Sequence, residues 1–201
     1  LLFMATADDK QALEKSPVNN KIQLGAKSTK GLGAGSIPDV GKEAALESID
    51  EIKEFLGDNT QMVFITAGLG GGTGTGAAPV IASIAQSLGI LTVGIVTIPF
   101  TFEGKKRRAQ AEAGLEELKK YVDTLLVIGN DKLREIYGNL KMSEAFEHAD
   151  NVLTGAAKSI AEIISLHMHI NVDFNDVKTV MKDSGVAIMG SAVASGERRA
   201  I

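Results

Sequence analysis

The chain reads as an α/β protein with a doubly wound, mostly parallel sheet, and three observations predict it. Continuous apolar runs alternate with helical patterns along the whole length. The run Leu91 to Ile98 (LTVGIVTI) is apolar throughout, as a parallel strand covered on both faces must be. A glycine cluster sits where one such run passes into a helix.

The elements follow in order. Residues 1–5 (LLFMA) predict a short strand, and residues 25–38, rich in Gly and Lys, a loop. Residues 42–55 place Ala45, Ile49, Ile52 and Leu56 at three- and four-residue spacing, which predicts an amphipathic helix ending at Gly57. Met62 to Thr66 is a buried strand, followed by a small-residue helix over 77–88. After the strand 91–98 come a charged helix over 105–121, a strand over 124–128, and a long helix over 143–166. That long helix carries Phe146, Ala149, Leu153, Ala157, Ile160 and Ile164 on one face. This rhythm implies right-handed crossovers. Ligands in such sheets bind beyond the carboxyl ends of the strands, so the loops after Thr66, Thr97 and Ile128 are expected to line one site.

Composition excludes several classes. Of 201 residues 44% are hydrophobic, which rules out disorder and suits one compact domain or a little more. No apolar run approaches the ~20 residues of a membrane span, and no secretory leader opens the chain. The absence of cysteine removes disulfides, thiolate metal sites and thiol nucleophiles, and suits a cytoplasmic setting. A net charge of -4 argues against a general nucleic-acid binder.

Gly68-Leu69-Gly70-Gly71-Gly72-Thr73-Gly74-Thr75-Gly76 lies at the strand-to-helix junction. Glycines let backbone approach an anion, the following helix offers free N–H groups and the positive end of its dipole, and two threonine hydroxyls add donors. This is a phosphate cradle rather than a flexible turn. A P-loop would need Lys-Ser/Thr after the last glycine, and none is there. A dinucleotide fold is met only loosely by Gly72-x-Gly74-x-x-Ala77, and the next strand ends at Thr97-Ile98 without the acid that would hold a ribose. A dinucleotide-dependent oxidoreductase is therefore disfavoured.

The stretch GGGTGTG (70–76) resembles the signature of the tubulin superfamily. The segments KGLGAGSIPDVG (30–41), TIPFTFEGKKR (97–107), GNDKL (129–133), AFEHADNVL (145–153), NVDFNDV (171–177) and MGSAVASGERRA (189–200) resemble motifs of its FtsZ branch, in that order. The resemblance covers essentially the whole chain. It implies a GTP-binding, GTP-hydrolysing protein that polymerises head-to-tail into filaments of the bacterial division ring. The expected setting is the cytoplasm at the division site, with adaptor proteins bound through regions outside this chain and no direct membrane insertion. GTP/GDP would be the nucleotide, accompanied by Mg²⁺, with no separate protein metal site.

Residue by residue, the resemblance implies that Gly71, Gly72, Thr73 and Gly74 wrap the phosphates and that Ala34, Gly35 and Ser36 reach toward the γ-phosphate. Glu103 and Arg107 match a pair contacting ribose and phosphate, while Lys105, Lys106 and Arg108 read as a solvated helix start. Asn130, Phe146 and Asp150 match guanine-binding positions. An Asp carboxylate accepts from both N1–H and the 2-amino group of guanine, a donor pair that adenine lacks. Asn171, Asp173 and Asp176 match a catalytic synergy loop, although Asp173 and Asp176 alone read as a helix cap with its partner at the third position. About 20 helical residues at ~1.5 Å separate Asp150 from these acids by ~30 Å, so they would act on the nucleotide of the next subunit. A heterologous contact of that kind builds a filament.

The resemblance further implies a partial GTP-binding domain over 1–166 and, over 167–201, the synergy loop and the start of a second, GTPase-activating domain. The family's first strand and first glycine-rich loop have no counterpart here, and Ala7-Asp8-Asp9 stands where the family reads Asn-Thr-Asp. An alternative is accordingly a module that binds filaments or partners without turning GTP over. His167 and His169, with His148 elsewhere, read as polar surface rather than a metal site.

Overall fold

The computed structural model describes residues 4–138, 141–165, 172–189 and 195–196. The chain runs β1 (Met4–Ala7), α1 (Lys10–Lys15), β2 (Asn20–Gln23), α2 (Pro38–Glu47), α3 (Ile49–Leu56), β3 (Met62–Gly68) and α4 (Thr73–Ser87). It continues with β4 (Leu91–Ile98), a 3-10 turn at Thr101–Glu103, α5 (Lys105–Leu118), β5 (Thr124–Gly129), α6 (Asn130–Tyr137), α7 (Met142–Ser165), α8 (Phe174–Met181) and β6 (Gly185–Ala187).

All strand pairings among the described residues are parallel. One sheet has the order β3-β4-β5-β6, and β1 pairs with β2 in a separate two-stranded sheet. The central strand β4 is buried along almost its whole length because both of its faces are covered. Val96 joins one core with α2, α3, α4 and α5, through Ala44, Ile52, Ala82, Ala111 and Leu118. Val93 and Ile95, pointing the other way, join a second core with Leu133 of α6 and with Ala149 and Ala156 of α7. The doubly wound α/β expectation holds, with helices on both faces. No helix among the described residues is long and apolar enough to cross a membrane.

Several expected boundaries move, each for a local reason. The helix expected over 42–55 is two helices broken at Ser48, whose N–H turns back to the Ala45 carbonyl at 3.2 Å and whose buried hydroxyl accepts a hydrogen bond from the Gly25 N–H at 3.2 Å. Helix α2 begins earlier than expected, at Pro38, whose fixed φ suits a first helical position. Helix α4 starts at Thr73 rather than Ala77, so the second half of the glycine cluster is its first turn. The first strand is described from Met4 on, and residues 1–3 lie outside the described residues, as do Leu166, His167 and His169. Strands β2 and β6 and helices α1 and α6 were not expected. NKIQ and GVA are too short and too weakly apolar to announce a strand, and α1 depends on Asp9 Oδ1 accepting from Gln11 N (2.8 Å) and Ala12 N (3.1 Å).

Helix α2 passes very close to the first turn of α4. A Cβ built on Gly76 would lie 1.9 Å from the Pro38 carbonyl oxygen and 2.7 Å from the Lys42 nitrogen. Gly76→Ala is therefore expected to destabilise the fold by about 1–3 kcal/mol or more through overpacking against backbone that cannot yield. Urea unfolding measures this, and a change below ~0.5 kcal/mol would contradict the packing described.

Candidate functional site

Because every strand of the main sheet points the same way, the chain leaves β3, β4 and β5 at one edge of the molecule. The segments leaving β3 and β4 are tied at once, by the Leu69 N–H donating to the Thr97 carbonyl at 2.9 Å. Gly70 then takes φ +102°, a value L side chains rarely adopt, and its N–H donates to Thr75 Oγ1 at 2.8 Å. Thr75 is buried, so this hydroxyl shapes the loop from inside the helix. The Thr73 hydroxyl donates to Asp8 Oδ1 at 2.6 Å. The two threonines, expected as phosphate donors, thus both hold the loop together. No side chain caps α4, and its first-turn N–H groups face the loop with the positive end of the helix dipole.

The segment Ala34-Gly35-Ser36 is pressed against this loop. A Cβ on Gly72 would sit 2.5 Å from that of Ala34, while one on Gly71 or Gly35 would meet nothing within 4 Å. Gly72 is therefore a contact between the two loops, and Gly71 and Gly35 present bare backbone to open space. Ser36 adopts φ +61° and its carbonyl accepts from Gln110 Nε2 of α5 at 3.2 Å.

After β4, buried Phe100 organises the next segment. It stacks on Phe102 at 4.9 Å and meets Phe146 of α7 edge-on at 5.4 Å. Glu103 accepts from the Phe100 N–H at 2.8 Å through Oε1 and from Arg107 Nη1 at 2.6 Å through Oε2. Glu103 and Arg107 are thus paired with each other. The Arg107 carbonyl also packs against Gly70, 2.9 Å from where its Cβ would be. Asn130 follows β5 directly as the first residue of α6. It is buried, and its Oδ1 has no hydrogen-bond partner. Phe146 is 38% exposed despite its contact with Phe100, and Asp150, one turn further along α7, is exposed.

The structure therefore brings Ala34–Ser36, Gly71–Gly74, Glu103 and Arg107 around one loop cluster, and joins Phe146 to it through Phe100. Asp173 and Asp176 stand apart. The Asp176 N–H donates to Asp173 Oδ1 at 2.9 Å and the Asp173 N–H to Asp176 Oδ2 at 3.1 Å, a reciprocal cap on α8. Helix α8 is anchored where β5 begins, by Thr124 Oγ1 donating to the Met181 carbonyl at 2.6 Å. That anchor, at the far end of α8 from Asp173 and Asp176, is about 20 Å, one strand length, from Asn130. Asn171 lies outside the described residues.

Sequence reasoning missed three participants. Asp8 directly follows the first strand, is 3% exposed and has an unpartnered Oδ2; an acid directly after an apolar strand was the available signal. Phe100 was hidden among ordinary core residues. Asp131 accepts from Thr101 N (3.0 Å) and Thr101 Oγ1 (2.5 Å) and pairs with Arg108 at 3.7 Å, so Arg108 is not merely solvated.

The Thr101 hydrogen bonds, side chain before backbone, hold the Asp131 carboxyl below its ordinary pKa of 3.8, with Arg108 adding to them. A carboxyl depressed in the folded state stabilises above its unfolded pKa, and that stabilisation fades as pH falls through the folded one. Asp131→Asn is thus expected to lower stability at pH 7 by up to about 1 kcal/mol, allowing for screening of a side chain 37% exposed. The difference from wild type should shrink below about pH 4, as urea titrations at several pH values would show; a difference independent of pH contradicts the assignment.

A family model described as "Tubulin/FtsZ family, GTPase domain" matches residues 2–138. Among solved structures, an empty FtsZ dimer from M. jannaschii is 51% identical with a TM-score of 0.88, the match covering 91% of this chain and 53% of that one. The present chain thus spans about half the length of that relative. A GDP-bound CetZ1 monomer from Haloferax volcanii, 23% identical with a TM-score of 0.78, covers 91% of this chain and 55% of its own. A GTPγS-bound CetZ2 protofilament from the same organism is 24% identical with a TM-score of 0.73, over 91% and 54%. The two CetZ likenesses establish the shared fold.

Proposed function

From the premise that this chain belongs to the Tubulin/FtsZ family, GTPase domain, we propose that it binds GTP and GDP at the carboxyl edge of its sheet. The observation that carries the proposal is the convergence there of an uncapped helix N-terminus, bare backbone at Gly71 and Gly35, and a buried Asn130 with a spare oxygen. The first two suit phosphate; the last, with Phe146 and Asp150, suits a base. The GDP and GTPγS carried by the CetZ structures on the same fold support this reading.

In this proposal Gly71–Gly74 and the first turn of α4 hold the phosphates, Ala34–Ser36 close over their far end, and Glu103 and Arg107 exchange part of their pairing for ribose and phosphate. Asp150 supplies preference for guanine over adenine. A divalent cation fits the residues present, because the buried Oδ2 of Asp8 lacks a partner beside the loop. Mg²⁺, when bound with nucleotide, would offset phosphate charge. Asp173, Asp176 and Asn171 would complete hydrolysis in the next subunit of a head-to-tail filament. The empty FtsZ dimer and the CetZ2 protofilament support self-association. Filaments of the division ring, on the cytoplasmic side and reached by adaptor proteins, are the cellular form this implies.

A second reading is a nucleotide-binding module without turnover. It is favoured by the commitment of Asp173 and Asp176 to capping each other.

Titration with fluorescent GTP, using ATP as competitor, tests the first step. Tight GTP-selective binding is expected, and Asp150→Ala should weaken GTP about 10–100-fold while leaving ATP unchanged, the loss expected of hydrogen bonds to a charged group. Equal binding of both nucleotides overturns the assignment. Asp173→Asn separates the two readings of hydrolysis, since Asn caps a helix as well as Asp but cannot act as a carboxylate. Turnover should fall at least tenfold with GTP binding and helix stability intact, whereas undiminished turnover removes Asp173 from catalysis.

A further inference from the structure

We infer that Gln110 is a positioning residue that sets the preference for a nucleoside triphosphate over a diphosphate; the inference rests on the nucleotide-binding reading above and assigns a residue to it. Gln110 stands on α5, and its Nε2 donates to the Ser36 carbonyl at 3.2 Å. Among the described residues no other hydrogen bond joins α5 to residues 34–47. A cavity of about 420 Å³ lies between α2 and α5, and Gln110 stands on its wall with Pro38 and Asp39.

The loop held in this way is firm at one end and loose at the other. Toward α2 it is anchored, because the Ile37 N–H donates to the Ala34 carbonyl at 2.9 Å and Pro38 begins the helix. On the inner side Ala34 rests against Gly72, where a Cβ would lie 2.5 Å from its own. Gly33 and Gly35, by contrast, take φ +81° and +58°, and a Cβ on Gly35 would meet nothing within 4 Å. Ser36 holds φ +61°, a left-handed conformation that is unfavourable for an L residue. That strain and the net gain from one hydrogen bond are of the same order. The donation from Gln110 therefore offsets the strain at Ser36, and without it the segment turns freely at its two glycines.

What the bond positions follows from where the loop lies. The loop Gly71–Gly74 and the first turn of α4 are fixed without Gln110, by the Gly70 N–H on Thr75 Oγ1 and the Thr73 hydroxyl on Asp8. A diphosphate is served by that loop. A third phosphate reaches the far end, where Ala34–Ser36 stand, so its binding depends on how often that segment is in place. Apparent affinity falls by the fraction of molecules in the competent arrangement. Gln110 carries no charge, so removing it leaves the electrostatic attraction for both nucleotides unchanged. Loss of its hydrogen bond is felt by the triphosphate alone.

The test compares wild type with Gln110→Met and Gln110→Ala, by titration with fluorescent GTP and fluorescent GDP and by amide hydrogen exchange of the nucleotide-free chain. Met keeps the unbranched shape and loses the donor, whereas Ala removes the side chain altogether. Both variants should bind GTP about 3–10-fold more weakly, the scale of one neutral hydrogen bond, with GDP changed by less than about twofold. The Ile37 amide, which closes the loop on Ala34, should exchange about 3–10-fold faster in both variants. Equal weakening of GTP and GDP shows a merely structural role and overturns the inference, as does an unchanged affinity for both. Unchanged exchange at Ile37 overturns the hold on the loop whatever the nucleotides do. Absence of GTP and GDP binding to wild type overturns the nucleotide reading and the specificity role with it.

Discussion

The close passage of α2 over the first turn of α4 is the constraint on which the rest of the site depends. It is possible only because Gly76 faces the Pro38 carbonyl and Gly41 faces that of Gly72, with a Cβ at Gly41 falling 2.4 Å from the Gly72 oxygen. Backbone lies on backbone there, which fixes distances more rigidly than side-chain packing does. Pro38 is also the end of the segment that carries Ala34–Ser36, so the same contact sets that loop against Gly72. Four of the glycines that look like a phosphate signature are thus partly accounted for by packing, and Gly71 is the one whose bare surface is turned outward.

Around this contact the molecule settles its polar groups locally. Glu103 pairs with Arg107 and Asp131 with Thr101 and Arg108. Asp173 pairs with the backbone of its own helix turn, and Glu47 with the backbone N–H groups of Lys27 and Ser28. Among the described residues, three features at the carboxyl edge remain without such partners: the first turn of α4, Asn130 Oδ1 and Asp8 Oδ2. They differ in sign and chemistry. The proposed nucleotide offers a phosphate for the first and a base edge for the second.

The architecture was legible because its signals are periodic. Unbroken apolar runs marked β3, β4 and β5, and three- and four-residue spacing marked α3 and α7, since burial on two faces or on one stripe leaves a pattern in the chain itself. What escaped notice was short or decided by single hydrogen bonds: the break at Ser48, the cap by Asp9, and strands β2 and β6, whose few residues carry no period. The pairing of β1 and β2 as a separate sheet was equally hidden, because strand partners are chosen by tertiary contact and not by the strand's own residues.

At the site the division is similar. The glycine cluster, its place at a strand-to-helix junction and the shortage of any competing motif were settled by sequence alone, because backbone conformation and helix dipoles are local properties. That Thr73 and Thr75 hold the loop, that Glu103 and Arg107 turn toward each other, and that Phe100 joins α7 to the loop after β4 required the fold. So did the isolation of one buried oxygen on Asp8. Whether a polar atom has a partner depends on groups distant in sequence, here 65 residues away at Thr73, and only the folded chain brings them within reach.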